Sequence, residues 1–563
     1  MKKSLFHLLF AFAMITVFAT SCGSKMGPLA SSLFTADPSP LELVGTKVPV
    51  TVNGRFPAKW FDKNASITVI PLIKYNGGEV MGTSQSYQGE KVSGNGIVIN
   101  QATGGAITLR SEFDYTPAMK KSELYLRFLV TKKGKTIAIP DVKIADGIVA
   151  TAALADAKTT APAIAPDAFK RIIEEAHDAN IMFLIQQAEL RSSELTSSNL
   201  AAWKELVKEA DENARKNVNV EIAAYASPDG GYELNEKLAE KREQNTAKYL
   251  DKEFQKLNVD TEVNAKYTAQ DWEGFKQLVE ASNLQDKDLV LRVLSMYPDP
   301  ETREKEIKNI SIIYKDLAET ILPQLRRSRL IANVEIIGKT DEEISKAATS
   351  DFADLSLEEL LYSTTLAGVS QEKVYTYTTQ KYPNDYRAWN NLGAYYFENG
   401  NLTKAKELFT KAGQVSAIAA EANMNLGLIA INDGDLSKAE QLLGRSAGAN
   451  TLGETIGLLY IKQGDYTKAA QSFGSTVSNN AALAQILSKD YNKAQQIIDA
   501  VVKKDATTYY LAAIVAARTN NVSGVAGNLK TAIQNGLSKT EILSDTEFAK
   551  FLTNSDIKNM LSL

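Results

Sequence analysis

Four short stretches in the last third of the chain repeat one pattern. They are Gly400-Asn401-Leu402-Thr403-Lys404-Ala405, Gly434-Asp435-Leu436-Ser437-Lys438-Ala439, Gly464-Asp465-Tyr466-Thr467-Lys468-Ala469 and a weaker Lys489-Asp490-Tyr491-Asn492-Lys493-Ala494. Their alanines stand 34, 30 and 25 residues apart. Self-similarity at such a period means that one supersecondary unit recurs and buries its apolar face only by stacking on the next. Residues 352–563 therefore read as an all-helical stack. The shorter later spacings predict truncated helices or loops, and Glu547–Leu563 reads as a capping helix.

The first repeat carries Trp389, Leu392, Gly393, Tyr396, Ala405, Phe409 and Ala412. Gly393 and Ala405 are small where paired helices approach, while Trp389, Tyr396 and Phe409 fill the space between helices. This pattern resembles the tetratricopeptide repeat, with Ala417 standing where that pattern usually has proline. The resemblance implies a concave groove for a protein partner, lined here by Asn390, Ala394, Phe397 and Glu398. Ala394 and Glu398 do not reproduce the carboxylate clamp of chaperone-binding relatives. Phe397 is either an apolar anchor for an extended or helical partner segment, or a residue that only packs repeat on repeat.

A length of 563 residues exceeds one hydrophobic core and implies several domains. A formal charge of −4 without a long Lys/Arg cluster argues against nucleic-acid binding. Lys2-Lys3 followed by apolar Leu5–Phe18 reads as a signal segment, too short to span a bilayer comfortably. Ala19-Thr20-Ser21-Cys22-Gly23 resembles a bacterial lipobox, which implies a signal peptide over 1–21, lipid attachment at Cys22 and a tether over 22–37. Cys22 is the only cysteine, so the body holds no disulfide and no thiol nucleophile. Acyl chains can hold such a body on a membrane without a spanning helix. Gly23, in the second mature position, points by resemblance to the outer membrane, and we read the periplasmic face as the site of display.

Residues 38–149 contain alternating or β-branched runs (Val48–Val52, Ala65–Ile70, Gly96–Ile99, Glu123–Phe128) separated by Gly and Asn turns. They predict an antiparallel β-sandwich, immunoglobulin-like in shape. Residues 150–169, including ATAALADAKTTAPAIAP, are rich in Ala, Thr and Pro without an apolar period and read as a linker.

Residues 170–345 read as an α/β domain in the order β-α-β-α-β-helices-β. Its centre is Val218–Leu250, where an alternating run breaks at Ser227-Pro228-Asp229-Gly230-Gly231 and passes into a helix carrying Asn235, Leu238 and Arg242. This strand–turn–helix resembles the signature of the OmpA-like domain, here with a helical insertion before the last strand. The resemblance implies binding of the diaminopimelate peptide of peptidoglycan. Arg242 would clamp the carboxylate bidentately, Asp229 would accept from the ammonium, and Asn235 would fix the turn or a ligand amide. The chain departs from the family in a turn two residues shorter and in Glu243, which stands where alanine is usual.

Little points to catalysis. His7 lies in the signal segment and leaves His177, in Glu174-Glu175-Ala176-His177-Asp178, which reads as a polar helix residue. The count excludes His/Cys metal sites, no reaction motif is present, and no catalytic residue, metal or cofactor is assigned. The expectation is a multidomain α+β lipoprotein: β-sandwich, OmpA-like α/β domain and repeat solenoid, gripping the wall and scaffolding an envelope partner. The alternative is a pure interaction subunit of a secretion or uptake complex, in which the α/β domain does not bind the wall.

Overall fold

The computed structural model describes residues 26–562, and these form two compact units. One joins the chain up to Pro166 with Ser370–Leu563, and the other is Asp167–Val369. The signal segment, Cys22 and the first residues of the expected tether lie outside the described residues. Among the described residues, no helix is long and apolar enough to cross a membrane.

In the first unit, Phe34–Asp37, Lys47–Phe56 and Gly105–Asp114 form one sheet. A second sheet runs Lys135–Ala138, Ser122–Lys132, Ala65–Tyr75, Gln85–Gly89 and Ile97–Ile99. Strict alternation sends Ile107, Leu109 and Phe113 of the first sheet, and Leu124, Leu126, Phe128 and Val130 of the second, into one core. The pairing is not wholly antiparallel, because Gln85–Gly89 runs parallel to Ile97–Ile99. The expected tether is corrected over residues 26–37. Met26, Leu29 and Phe34 are buried in this core, and Phe34–Asp37 is an edge strand on Lys47–Phe56. Gly54 makes room for it: a Cβ there would lie 2.2 Å from the Phe34 ring.

The repeat motif explains its own helices. Gly400, Gly434 and Gly464 adopt positive φ and end the first helix of each pair; Lys489 takes the same conformation in the weaker copy. The next residue caps the second helix, Asn401, Asp435, Asp465 and Asp490 accepting the N–H of Lys404, Lys438, Lys468 and Lys493. Each such cap is worth about 1 kcal/mol. Ala405, Ala439, Ala469 and Ala494 are fully buried at the helix crossings. A fifth copy, hidden in sequence, has Asn520 at positive φ, Asn521 as cap and Val525 at the alanine position. The fall from 34 to 30 comes from a shortened second helix, 14 residues in Leu402–Val415 against 8 in Leu436–Leu443. The further fall to 25 includes a first helix of 9 residues, Asn479–Leu487, in place of 12 in Leu452–Gln463. Gly393, Gly427 and Gly457 admit Phe409, Leu443 and Phe473, whose side chains would lie 2.6–2.8 Å from an added Cβ.

The sandwich and the repeats are packed together. Tyr466 accepts the Gly45 N–H (3.1 Å) and donates to the Leu43 carbonyl (3.1 Å). The helical region of this unit begins at Ser370 rather than at 352, since residues 341–369 belong to the second unit.

The second unit has a four-stranded sheet in the order Ile172–Met182, Arg327–Ile337, Lys216–Tyr225, Glu262–Thr268; the last two are parallel. Helices Ser198–Asp211 and Tyr232–Leu257 cover one face through Leu200, Trp203, Val207, Leu250 and Phe254. Helices between Trp272 and Thr320 form a separate apolar cluster around Phe275, Val290 and Leu317. His177 is on the edge strand, not a helix, and its ring lies 3.1 Å from Glu175.

Candidate functional site

The turn after Lys216–Tyr225 is built from the polar residues that the sequence marks. Asn235 is buried, and its amide donates to the carbonyls of Ser227 (3.0 Å) and Gly230 (2.8 Å), tying the turn to the first helical coil. Asp229 accepts from Arg326 (3.0 Å) and from the Ser227 hydroxyl (2.5 Å). Gln270 donates to Gly230 O, and Lys308 donates to Asp229 O.

Arg242 stands elsewhere than the clamp geometry requires. It is 0% exposed, and its guanidinium donates to the carbonyls of Gln187 (2.9 Å), Tyr225 (2.7 Å) and Leu184 (3.2 Å). The Phe183 ring lies 4.8 Å away and covers it. Burial pulls its pKa down to about 10, Arg326 adds to the effect, and Asp229 opposes it. Asp229 and Arg242 thus do not present a shared open face. The buried stripe of the helix is Asn235, Ala239, Arg242, Thr246 and Leu250, while Leu234 is 54% exposed. The reason is local: strand and loop ends leave carbonyls at this end of the sheet, so the helix turns polar donors inward. Arg326, which completes the turn, carries no sequence signal of its own.

The groove of the repeats is already filled. Residues 155–166, read from sequence as linker, run along it as a strap that makes one 3-10 turn at Ala157–Thr159 and is irregular and non-helical from Thr160 to Pro166. Asn391 accepts the Ala165 N–H (2.8 Å) and donates to Ala165 O (2.9 Å). Asn425 does the same to Ala163 at 2.7 and 2.8 Å. Asn480 pairs both groups of Asp156 at 3.1 and 2.9 Å. Asn390 adds a second donor to Ala163 O (2.9 Å), and Lys462 donates to Ala155 O (2.8 Å). Burial lowers the Lys462 pKa from its ordinary value, with Asp156 opposing.

An amide carries one acceptor and two donors, so each asparagine reads one residue of main chain completely. The side chains turned inward are small: Ala155, Ala157, Thr160, Pro162, Ala163 and Ala165 are buried, with the Thr160 hydroxyl accepting from Asn480 (3.3 Å), whereas Lys158, Ala161, Ile164 and Pro166 are exposed. Pro162 and Pro166 keep this end of the strap non-helical, because the residue before a proline avoids helical backbone. A segment gripped by its backbone needs no apolar period, which is why it resembles a linker in sequence.

Asn390 therefore lines the groove as expected, but against the chain's own strap. Ala394 and Phe397 are buried in the repeat core, so Phe397 packs repeat on repeat and is no exposed anchor. Asn391, Asn425 and Asn480 went unread in sequence, although a signal existed. Each stands 14 residues before Ala405, Ala439 or Ala494, and Thr455 fills the place before Ala469.

Residues 374–407 match the profile of the tetratricopeptide repeat family. The C-terminal region therefore carries tetratricopeptide repeats, a fold that serves protein–protein interaction. No curated protein matches the chain. Among solved structures, Pseudomonas aeruginosa PilF is similar at 15% identity, covering 38% of this chain and 100% of that one, with a TM-score of 0.28. A tetratricopeptide repeat protein from Parabacteroides merdae has 16% identity, 50% and 100% coverage and a TM-score of 0.26. PilW, a type IV pilus biogenesis factor, has 14% identity, 39% and 98% coverage and a TM-score of 0.26. TM-scores this low carry nothing further.

Proposed function

We propose that this chain is a non-enzymatic interaction scaffold of the cell envelope. The observation that carries this reading is the ladder of Asn391, Asn425 and Asn480, which takes up both main-chain groups of Ala165, Ala163 and Asp156 along one segment. Acylated Cys22 holds the protein at the outer membrane, on its periplasmic face. The sandwich and repeats form the binding body. The α/β unit, OmpA-like in its strand–turn–helix frame, serves as framework, because Arg242 is committed to three internal carbonyls. This favours the interaction-subunit reading over the wall tether.

Capture from detergent-solubilised envelopes tests the scaffold. Partners held by the full chain are to be lost when residues 371–563 are deleted, and an unchanged set would sink the reading. Labelling with a palmitate analogue is to disappear in Cys22→Ser. A second reading, wall binding through Asp229, has the formed turn in its favour, since Asp229 and Arg326 keep some surface (side chains 13% and 12% exposed). It requires the full chain to co-sediment with diaminopimelate-type peptidoglycan and Asp229→Asn to abolish this; absence of co-sedimentation rejects it.

A further inference from the structure

The strap is held in a way that does not demand this particular strap. Its grip falls on the N–H and C=O of Asp156, Ala163 and Ala165, groups that every non-proline residue has. The groove wall admits small side chains facing it, Ala163 and Ala165 being 0% and 1% exposed, and Asn480 also donates to the Thr159 and Thr160 hydroxyls. Proline at 162 and 166 adds preorganisation by favouring extended backbone. We propose that the groove is a binding site for an Ala/Pro-rich segment of another protein, and that residues 155–166 are its resident competitor. The proposal rests on the scaffold reading and deepens it, by naming the chemistry of the partner segment and the contact that it must displace.

The arithmetic of displacement follows from the tether. A segment joined covalently to its own site competes at an effective concentration of about millimolar. A partner of equal chemistry is therefore excluded at micromolar concentration, and one that binds better, or that arrives when the strap is pulled out, enters. The strap is continuous with Asp167, the first residue of the second unit, so tension on that junction is one way to withdraw it.

The probe is a labelled peptide of residues 154–167, LADAKTTAPAIAPD. The full chain is compared with a full-length variant in which a Gly/Ser segment of equal length replaces residues 155–166. The wild type is to bind no peptide at about 10 μM, against the millimolar competitor. The replaced chain is to bind it, with affinity falling at least about tenfold on adding Asn391→Ala or Asn425→Ala. A peptide carrying Ala163→Glu is not to bind. A replaced chain with native helical signal and no peptide binding overturns the proposal.

Hydrogen exchange of the wild-type chain keeps the proposal falsifiable should the replacement not fold. The Ala163 and Ala165 amides are to exchange through local opening, faster than the Leu428 amide in the helical core. Exchange of all three only with global unfolding makes the strap a permanent core element and overturns the proposal. Wild-type dimers with exchanged straps would assign the groove to a second copy and overturn it too. Failure here with repeat-dependent partners still captured separates this inference from the scaffold reading.

Discussion

The turn of the α/β unit and the groove of the repeats use related devices for different ends. In both, a buried polar side chain satisfies main-chain groups of another segment. Arg242 offers only donors, so it meets carbonyls alone, and it gathers them from Leu184, Gln187 and Tyr225. An asparagine offers both kinds, so it pairs a residue as a neighbouring strand would. What is buried alongside also differs. The guanidinium sits beside Phe183 and the apolar ends of the sheet, within one core. The strap buries mostly methyl groups and leaves alternate residues in water. A closed cation fixes a fold, whereas a ladder of amides on a thin strap can exchange what it holds.

The largest expected effect breaks the first side of the comparison. Arg242→Ala leaves three partly buried carbonyls without their donor, at about 1 kcal/mol each, and is to destabilise the α/β unit by about 3 kcal/mol in urea titration. Arg242→Lys is to recover only part of this, because an ammonium cannot reach three separated acceptors in fork geometry. Retention of full stability in Arg242→Ala would mean that the guanidinium is free for a ligand after all.

Asn425→Ala is to lower stability by about 1–3 kcal/mol, with faster amide exchange confined to residues 155–166. A uniform loss of protection across the repeats would erase the distinction drawn here. Asp229→Asn is to cost a similar amount, about 1–3 kcal/mol, since it leaves the mostly buried Arg326 without its counter-charge.

The smallest effect is a pH dependence. Lys462 has its folded pKa lowered by burial, so the unfolded chain binds more protons between that value and its ordinary 10.5. Stability of the wild type relative to Lys462→Met is therefore to rise as pH climbs through this window. A flat difference would show that Lys462 is not confined against the strap.

Much of the fold was legible because it is written in local periodicity. Positive-φ glycines, capping Asn/Asp and buried alanines recur in the repeat motif, and the strand–turn–helix at 216–257 announces itself by a change of period. The strap was not legible, because a segment held through its backbone leaves no pattern of side chains. Phe34 and Met26 were missed for a related reason: single apolar residues among Ser and Pro make no period. The strand–turn–helix motif marked Asp229, Asn235 and Arg242, but a motif does not say whether a donor faces a ligand or a carbonyl of the same chain.

The helical repeats, the strands of the sandwich and the polar character of the turn are written in local pattern, since each reflects the spacing of residues near in sequence. What fills the groove and what Arg242 holds are set by packing between distant parts of the chain. Ala163 and Asn425 are 262 residues apart, and Arg242 reaches Leu184 across 58. Pairings over such distances depend on how the chain packs, and main-chain groups, identical at every residue, carry no record of their partners.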